Sequence, residues 1–438
     1  MSNVSRLATA LGVAAAMAAP VAANAAAKDS VEVLHTFDVA NATTGDSPGG
    51  SQPDTRPVLG PNNTVFGMTY TGGTNGNGVI YKYDLAAKKY SVIHSFSALD
   101  ANGNNEDGAT PGVALTRGPN DVFYGMASFG GAHGTGTIFS ITAAGKFEVL
   151  HEFGALNAAK HNEDGASPLR TIVVGKDGNL YGTTRLGGEN ALGVAWTMNR
   201  SGNFTVLHQF TPTEGHAASL LLARDGFFYG CAVYPRPTLG SGLLYRMDPS
   251  GKHFEVLYTF KPVNASGANE DGADCYEPLV EREDGVFFGT ATYGGHGNGV
   301  VFRYSLAKPH QVDVIHDFSA CESTAATCVN KDGANPETRL IARGDGALYA
   351  TASAGGAGGS GVVFRVRSDD AFELLHTFSA TNPQTGANTD GAAPDFGVIF
   401  AADDTLIGMT DAGGKGDAAY GYGNGTLYRL KVDRCDHF

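Results

Sequence analysis

Seven copies of one short motif constrain this chain more than any other feature. Val33-Leu34-His35-Thr36-Phe37, within the segment that opens at Val31, recurs as VIHSF from Val92, VLHEF from Val149 and VLHQF from Val206. It returns as VLYTF from Val256, VIHDF from Val314 and LLHTF from Leu374. A second signature follows each copy: VFGMT at Val65, FYGMA at Phe123, LYGTT at Leu180, FYGCA at Phe228, FFGTA at Phe287, LYATA at Leu348 and LIGMT at Leu406. Self-similarity at a period of roughly 50 residues means stacked copies of one supersecondary unit, none of which buries its apolar face alone.

Each unit holds four short β-like runs. In the third they are Thr171 to Val174, Leu180 to Thr184, Val194 to Met198 and Phe204 to Phe210. Asp177-Gly178-Asn179 and Ser201-Gly202-Asn203 are hairpin chemistry, with glycine free to take positive φ. Apolar and polar residues alternate along the runs, as in strands with one packed face. Seven four-stranded antiparallel modules predict an all-β, seven-bladed propeller. The two ends agree with it. Val31 to Phe37 is a fourth strand without its first three, and the chain finishes with three strands around Val398, Leu406 and Thr426 that lack a fourth. Pairing them closes the ring and removes exposed sheet edges.

With VLHxF, DG-x-x-P, LYGTT, GG and G-x-G-x-x-F, the chain resembles the Gloeo_Verruco (GloVer) tandem repeat of bacterial exported proteins, from residue 31 to about 432, with a weakened fourth copy. That resemblance implies a propeller and an exported protein, and brings no defined activity or catalytic residue. Proteins of this kind often end in a sorting anchor, which Arg434 to Phe438 do not resemble.

The expected organisation is a signal peptide over 1–25, a propeller over 31–432 with repeats starting near 31, 92, 149, 206, 256, 314 and 374, and a tail over 433–438. Arg6 precedes an alanine-rich apolar run from Leu7 to Val21, and Ala23-Asn24-Ala25 is a cleavage signal. The run is too short for a good membrane anchor, and no second stretch of spanning length follows. A secreted or periplasmic protein without a membrane span, expected as a monomer, is the reading. The net charge of -14 disfavours nucleic acid as a partner. Among five cysteines, Cys321 and Cys328 are the best candidate pair; Cys231 with Cys275, in neighbouring repeats, is the second, leaving Cys435 over.

Loops joining each VLHxF strand to the next module share a rim with the GG turns, and loops on a rigid scaffold carry function. Pro53, Pro111, Pro168, Pro336 and Pro394 align just before the innermost strand, with His216 and Cys275 at that position in copies four and five. Four residues earlier stand Asp107, Asp164, Asp271, Asp332 and Asp390, each in an N-x-D-G loop. Asn and Asp stabilise tight turns, which is the plainer reading. Calcium is the cofactor these carboxylates would otherwise hold, though one Asp per loop is few ligands. The strand histidines read as packing residues, with Tyr258 replacing one.

Departures from the repeat are what the scaffold alone does not demand. Arg56, Arg170, Arg185, His216, Tyr234, Arg236, Tyr276, Glu277, Glu337, Arg339 and Asp395 are such departures. A rim around blades 3 to 5 that binds a polysaccharide, or another extracellular ligand such as a protein, is the first expectation. The alternative is a polysaccharide lyase acting on a uronate polymer by β-elimination, with Arg170 neutralising the carboxylate and His216 with Tyr276 or Tyr234 moving the protons. A glycoside hydrolase would use two carboxylates from Glu277, Glu337 and Asp395. No nucleophile elbow, phosphate loop or zinc-spaced Cys/His set is present. A single tryptophan argues against a quinone-dependent dehydrogenase.

Overall fold

A computed structural model describes residues 31–39, 41, 46–112, 114–234, 241–322, 327–417 and 422–433. The expected signal peptide, Arg236 and Cys435 lie outside the described residues. The chain forms seven antiparallel sheets of the propeller type. In blade 1 the strands Val58–Leu59, Thr64–Thr69, Val79–Asp84 and Lys89–Ser95 pair in chain order from the ring centre outward. Blades 2, 3, 5 and 6 repeat that order. Blade 7 joins Val398–Phe400, Leu406–Thr410 and Thr426–Leu430 to the N-terminal strand Glu32–Thr36, with His35 opposite Leu427. The ring is closed between the two ends of the chain.

The aromatic-Gly signature has a packing cause. Its glycine stands opposite an aromatic residue of the third strand: Gly67 faces Tyr81, Gly182 faces Trp196 and Gly289 faces Phe302. The ring lies over the glycine, so a Cβ on Gly182 would sit 2.5 Å from the Trp196 indole. The aromatics before the glycines meet between blades, with Phe66 stacked on Phe123 at 4.4 Å and Tyr229 on Phe287 at 4.2 Å. The core is thus a ring of aromatic contacts at the blade junctions.

The VLHxF histidines bind the blades' outer edges together. His94, His151, His208 and His316 stack on Phe147, Phe204, Phe254 and Phe372 of the following blade at 3.6–4.1 Å. Their Nε2 atoms meet an acid of the next loop: Asp107 at 2.9 Å, Asp164 at 3.0 Å, Glu214 at 3.0 Å and Asp332 at 3.1 Å. His376 meets Asp390 at 3.3 Å, and the Tyr258 hydroxyl donates to Asp271. The same carboxylates accept main-chain N–H groups, as Asp164 does from Gly154 at 3.1 Å. Asn105, Asn162, Asn330 and Asn388 tie their loops to the GG turns, as Asn162 Oδ1 does by accepting from Gly188 N at 2.9 Å.

Blade 4 departs from the others. Its inner strand is split into His216–Ala217 and Leu221–Leu222, both paired with Phe228–Val233. Elsewhere the aligned proline packs on a glycine of the preceding blade, as Pro336 does on Gly299. At the junction of blades 4 and 5 a disulfide between Cys231 and Cys275 stands instead, and a second joins Cys321 to Cys328. No helix among the described residues is long and apolar enough to cross a membrane.

Candidate functional site

One turn, repeated seven times, delivers side chains to the mouth of the central channel. The residue before the aligned proline position is left-handed in every blade: Gln52, Thr110, Ser167, Gly215, Asp274, Asn335 and Ala393. The chain thereby leaves the rim loop and enters the strand with its next residues at the channel. Those residues are Asp54 and Arg56 in blade 1, Arg170 in blade 3, and Tyr276 and Glu277 in blade 5. Blade 6 supplies Glu337 and Arg339, and blade 7 supplies Asp395 and Phe396. Among the described residues of its inner segment, blade 2 contributes Gly112 and Ala114 to the cavity walls.

Arg170 is held by an added distortion. Its φ is 71°, and the pairing of its strand slips between Leu169 and Val173. A left-handed non-glycine residue costs on the order of 1 kcal/mol, and such strain concentrates where geometry serves function. The bulge sets Arg170 Nη1 at 2.8 Å from Glu277 Oε1, with the guanidinium 5.1 Å from the Tyr276 ring centroid. Arg170 Nε is buried and has no hydrogen-bond partner, and neither has the buried Oδ1 of Asp395.

Two adjoining cavities share Asp54, Gly112, Arg170 and Phe396. The inner one is a throat of about 30 Å³ between Arg56, Glu277 and Arg339. The outer one is a mouth of about 450 Å³, edged by Tyr70, Phe129 and Arg185 and floored by Arg170, Glu337 and Asp395. Phe129 is 47% exposed and lines this mouth.

Burial disfavours charge on Asp54, Arg56, Glu337, Arg339, Asp395 and Asp411. It pushes Asp54 up to about 7, with Asp411 adding and Arg170 opposing. Asp411 rises to about 6 by burial. Asp395 is held well above the carboxylate range by burial, then by Asp411 and Glu337, against a hydrogen bond from Ser353. Glu337 rises by burial against the pull of Arg170. Arg56 falls to about 9 by burial, Arg339 adding and Glu277 opposing. A carboxyl kept neutral both donates and accepts, which suits recognition of hydroxyl groups.

Of the rim residues expected from sequence, Arg56, Arg170, Glu277, Glu337, Arg339 and Asp395 lie together at these cavities, with Tyr276 against Arg170 and Arg185 at the edge. His216 and Tyr234 line neither cavity. His216 Nδ1 lies 3.0 Å from the Arg185 carbonyl oxygen, and the Tyr234 hydroxyl donates to the Thr213 carbonyl at 2.7 Å. The carboxylates of Asp107, Asp164, Asp271, Asp332 and Asp390 are engaged by the strand His or Tyr clips. Among the described residues no three His, Cys, Asp or Glu side chains are grouped so as to hold a metal ion. Sequence reasoning missed Asp54, Asp411, Tyr70, Phe129 and Phe396. Asp54 shares its aligned position with Glu337 and Asp395, and that was the available signal.

Solved propellers share this architecture. An oligogalacturonate lyase in complex with manganese superposes with a TM-score of 0.53 at 13% identity, over 93% of this chain and 98% of the other. The extracellular domain of a candidate one component system from B. thetaiotaomicron gives 0.50 at 14% identity, over 92% of this chain and 40% of the other. Identities this low carry the fold alone. No curated protein matches the chain by sequence. The profile of the Gloeobacter/Verrucomicrobia repeat matches residues 21–162, 53–272 and 164–328, more than half of the chain. The chain belongs to that repeat family.

Proposed function

We propose that this protein is an exported carbohydrate-binding propeller that receives a glycan at the mouth of its central channel, over blades 1 to 3, 6 and 7. One observation carries the reading: a cavity of about 450 Å³ in which aromatic Tyr70, Phe129 and Phe396 surround Arg170, Glu337 and Asp395. That volume falls within the range of about 300–1,000 Å³ found for small-molecule pockets. Sugar rings offer C–H faces to aromatic side chains and hydroxyls to carboxyl and guanidinium groups. Two disulfides, which persist in oxidising compartments, support export. The likeness to an extracellular domain agrees with it.

Lyase chemistry is the second reading, favoured by the contact of Arg170 with Tyr276, an arginine and an acid–base residue side by side. Among the described residues no histidine lines the cavity. Calorimetry of the mature protein against neutral and uronate oligosaccharides tests binding, with absorbance of unsaturated products followed in parallel. Saturable binding without product, weakened about tenfold or more by Phe129→Ala, is expected. Binding untouched by Phe129→Ala removes the mouth as the site, and an unsaturated product makes the lyase reading the correct one.

A further inference from the structure

The mouth contains two buried polar atoms whose hydrogen bonds are unmade. Arg170 Nε is a donor and Asp395 Oδ1 is an acceptor, and both residues line the same cavity. Orphaned polar atoms are costly to bury, so native structures satisfy them with water or ligand. Resting on the glycan reading above, we propose that these two atoms select a neutral sugar, whose hydroxyl donates to Asp395 Oδ1 and whose oxygen accepts from Arg170 Nε.

The charge around them argues for neutrality. Arg170 is already paired with Glu277, so its charge is not free for a ligand carboxylate. Asp54, Glu337, Asp395 and Asp411 stand within one electrostatic neighbourhood at the mouth. A uronate there would add a buried negative charge where burial already drives these carboxyls toward their neutral form, a cost that a neutral sugar does not carry. An amino sugar meets the opposite problem. Arg56, Arg170 and Arg339 gather on Glu277, and a further ammonium would compete with them. Three arginines on one glutamate repel a further cation, which leaves hydrogen bonding as the remaining means of recognition. Hydrogen-bonding sites of this kind reject analogues that lack the matching group more strongly than apolar pockets do.

The test is titration calorimetry with cellobiose, xylobiose and galactobiose as neutral probes, digalacturonate as the anion and chitosan disaccharide as the cation. A neutral disaccharide should bind best. Asp395→Ala and Arg170→Lys should each weaken it by about tenfold or more, with Asp395→Leu as the variant that keeps the volume without the acceptor if the alanine variant fails to fold. Tighter binding of digalacturonate or the chitosan disaccharide, sensitive to Phe129→Ala, would overturn the neutral-sugar assignment while leaving a glycan site at the mouth. Affinity for the neutral probe unchanged in both Asp395 variants and in Arg170→Lys would overturn the assigned contacts. Binding of none of the probes would overturn the assignment together with the glycan reading on which it rests.

Discussion

At the scale of the residue, the motif histidines separate into a clipped group and one exception. His94, His151, His208, His316 and His376 each meet a carboxylate, whereas His35 stacks on Tyr90 at 3.9 Å, and its aligned loop position is Gly49. Burial lowers His35 to about 4, with Asp38 opposing and Lys415 adding. A histidine depressed by folding is neutral in the native state while the unfolded chain takes up a proton below about pH 6.5. Its contribution is therefore complete above pH 6.5 and is lost as pH falls toward 4. Urea unfolding at pH 7 and pH 4.5 should show a loss on the order of 2 kcal/mol, after allowance for partial exposure, that His35→Phe lacks. Equal losses in both proteins would contradict the assignment. Asp107, Glu214, Asp332 and Asp390 behave in the opposite sense. Burial alone would raise Asp107, yet bonds from His94 and Ser97 hold it below its ordinary value. Its contribution is present above the unfolded carboxylate range and goes as pH falls through the lowered value.

At the scale of the element, strand order and ring closure were legible because both follow from apolar periodicity and from counting strands at the two ends. The reason for the aromatic-Gly signature was not. It depends on cross-strand register, which places Tyr81 or Trp196 over the glycine and which no single strand encodes. Blade 4 was recognised as irregular from its missing proline and Asp. Its short loop nevertheless supplies Glu214 to His208, two positions later than the Asp of other blades, which an alignment at fixed spacing passes over. The same blade is joined to blade 5 by Cys231–Cys275, across 44 residues, where five other junctions use a proline on a glycine. Replacing both cysteines by alanine should lower stability by about 2–4 kcal/mol, read as a fall in the midpoint of thermal unfolding. A midpoint unchanged in the double variant would mean that the junction holds without the bond.

At the scale of the whole molecule, the residues of the site were largely legible and their grouping was not. Alignment to the repeat fixes how deep a residue sits along its blade, so Arg56, Glu337, Arg339 and Asp395 could be found as departures near the inner strand. Which departures meet depends on the direction of each side chain at the channel. Arg170 reaches Glu277 and Tyr276 only through a left-handed residue inside a slipped strand, a feature without a sequence signature. His216 occupies the proline position itself, one residue short of the channel-facing positions, and is taken up by the Arg185 carbonyl. The irregular blade 4 therefore drew attention to one side of the ring, while the open space lies where blade 2 offers Gly112 and Ala114. Amide hydrogen exchange with and without the tightest-binding oligosaccharide tests this account most directly. Protection should appear at residues 54–56, 170–171, 337–339 and 395–397 together with 128–130. Protection confined to residues 213–217 and 233–234 of blade 4 would contradict it.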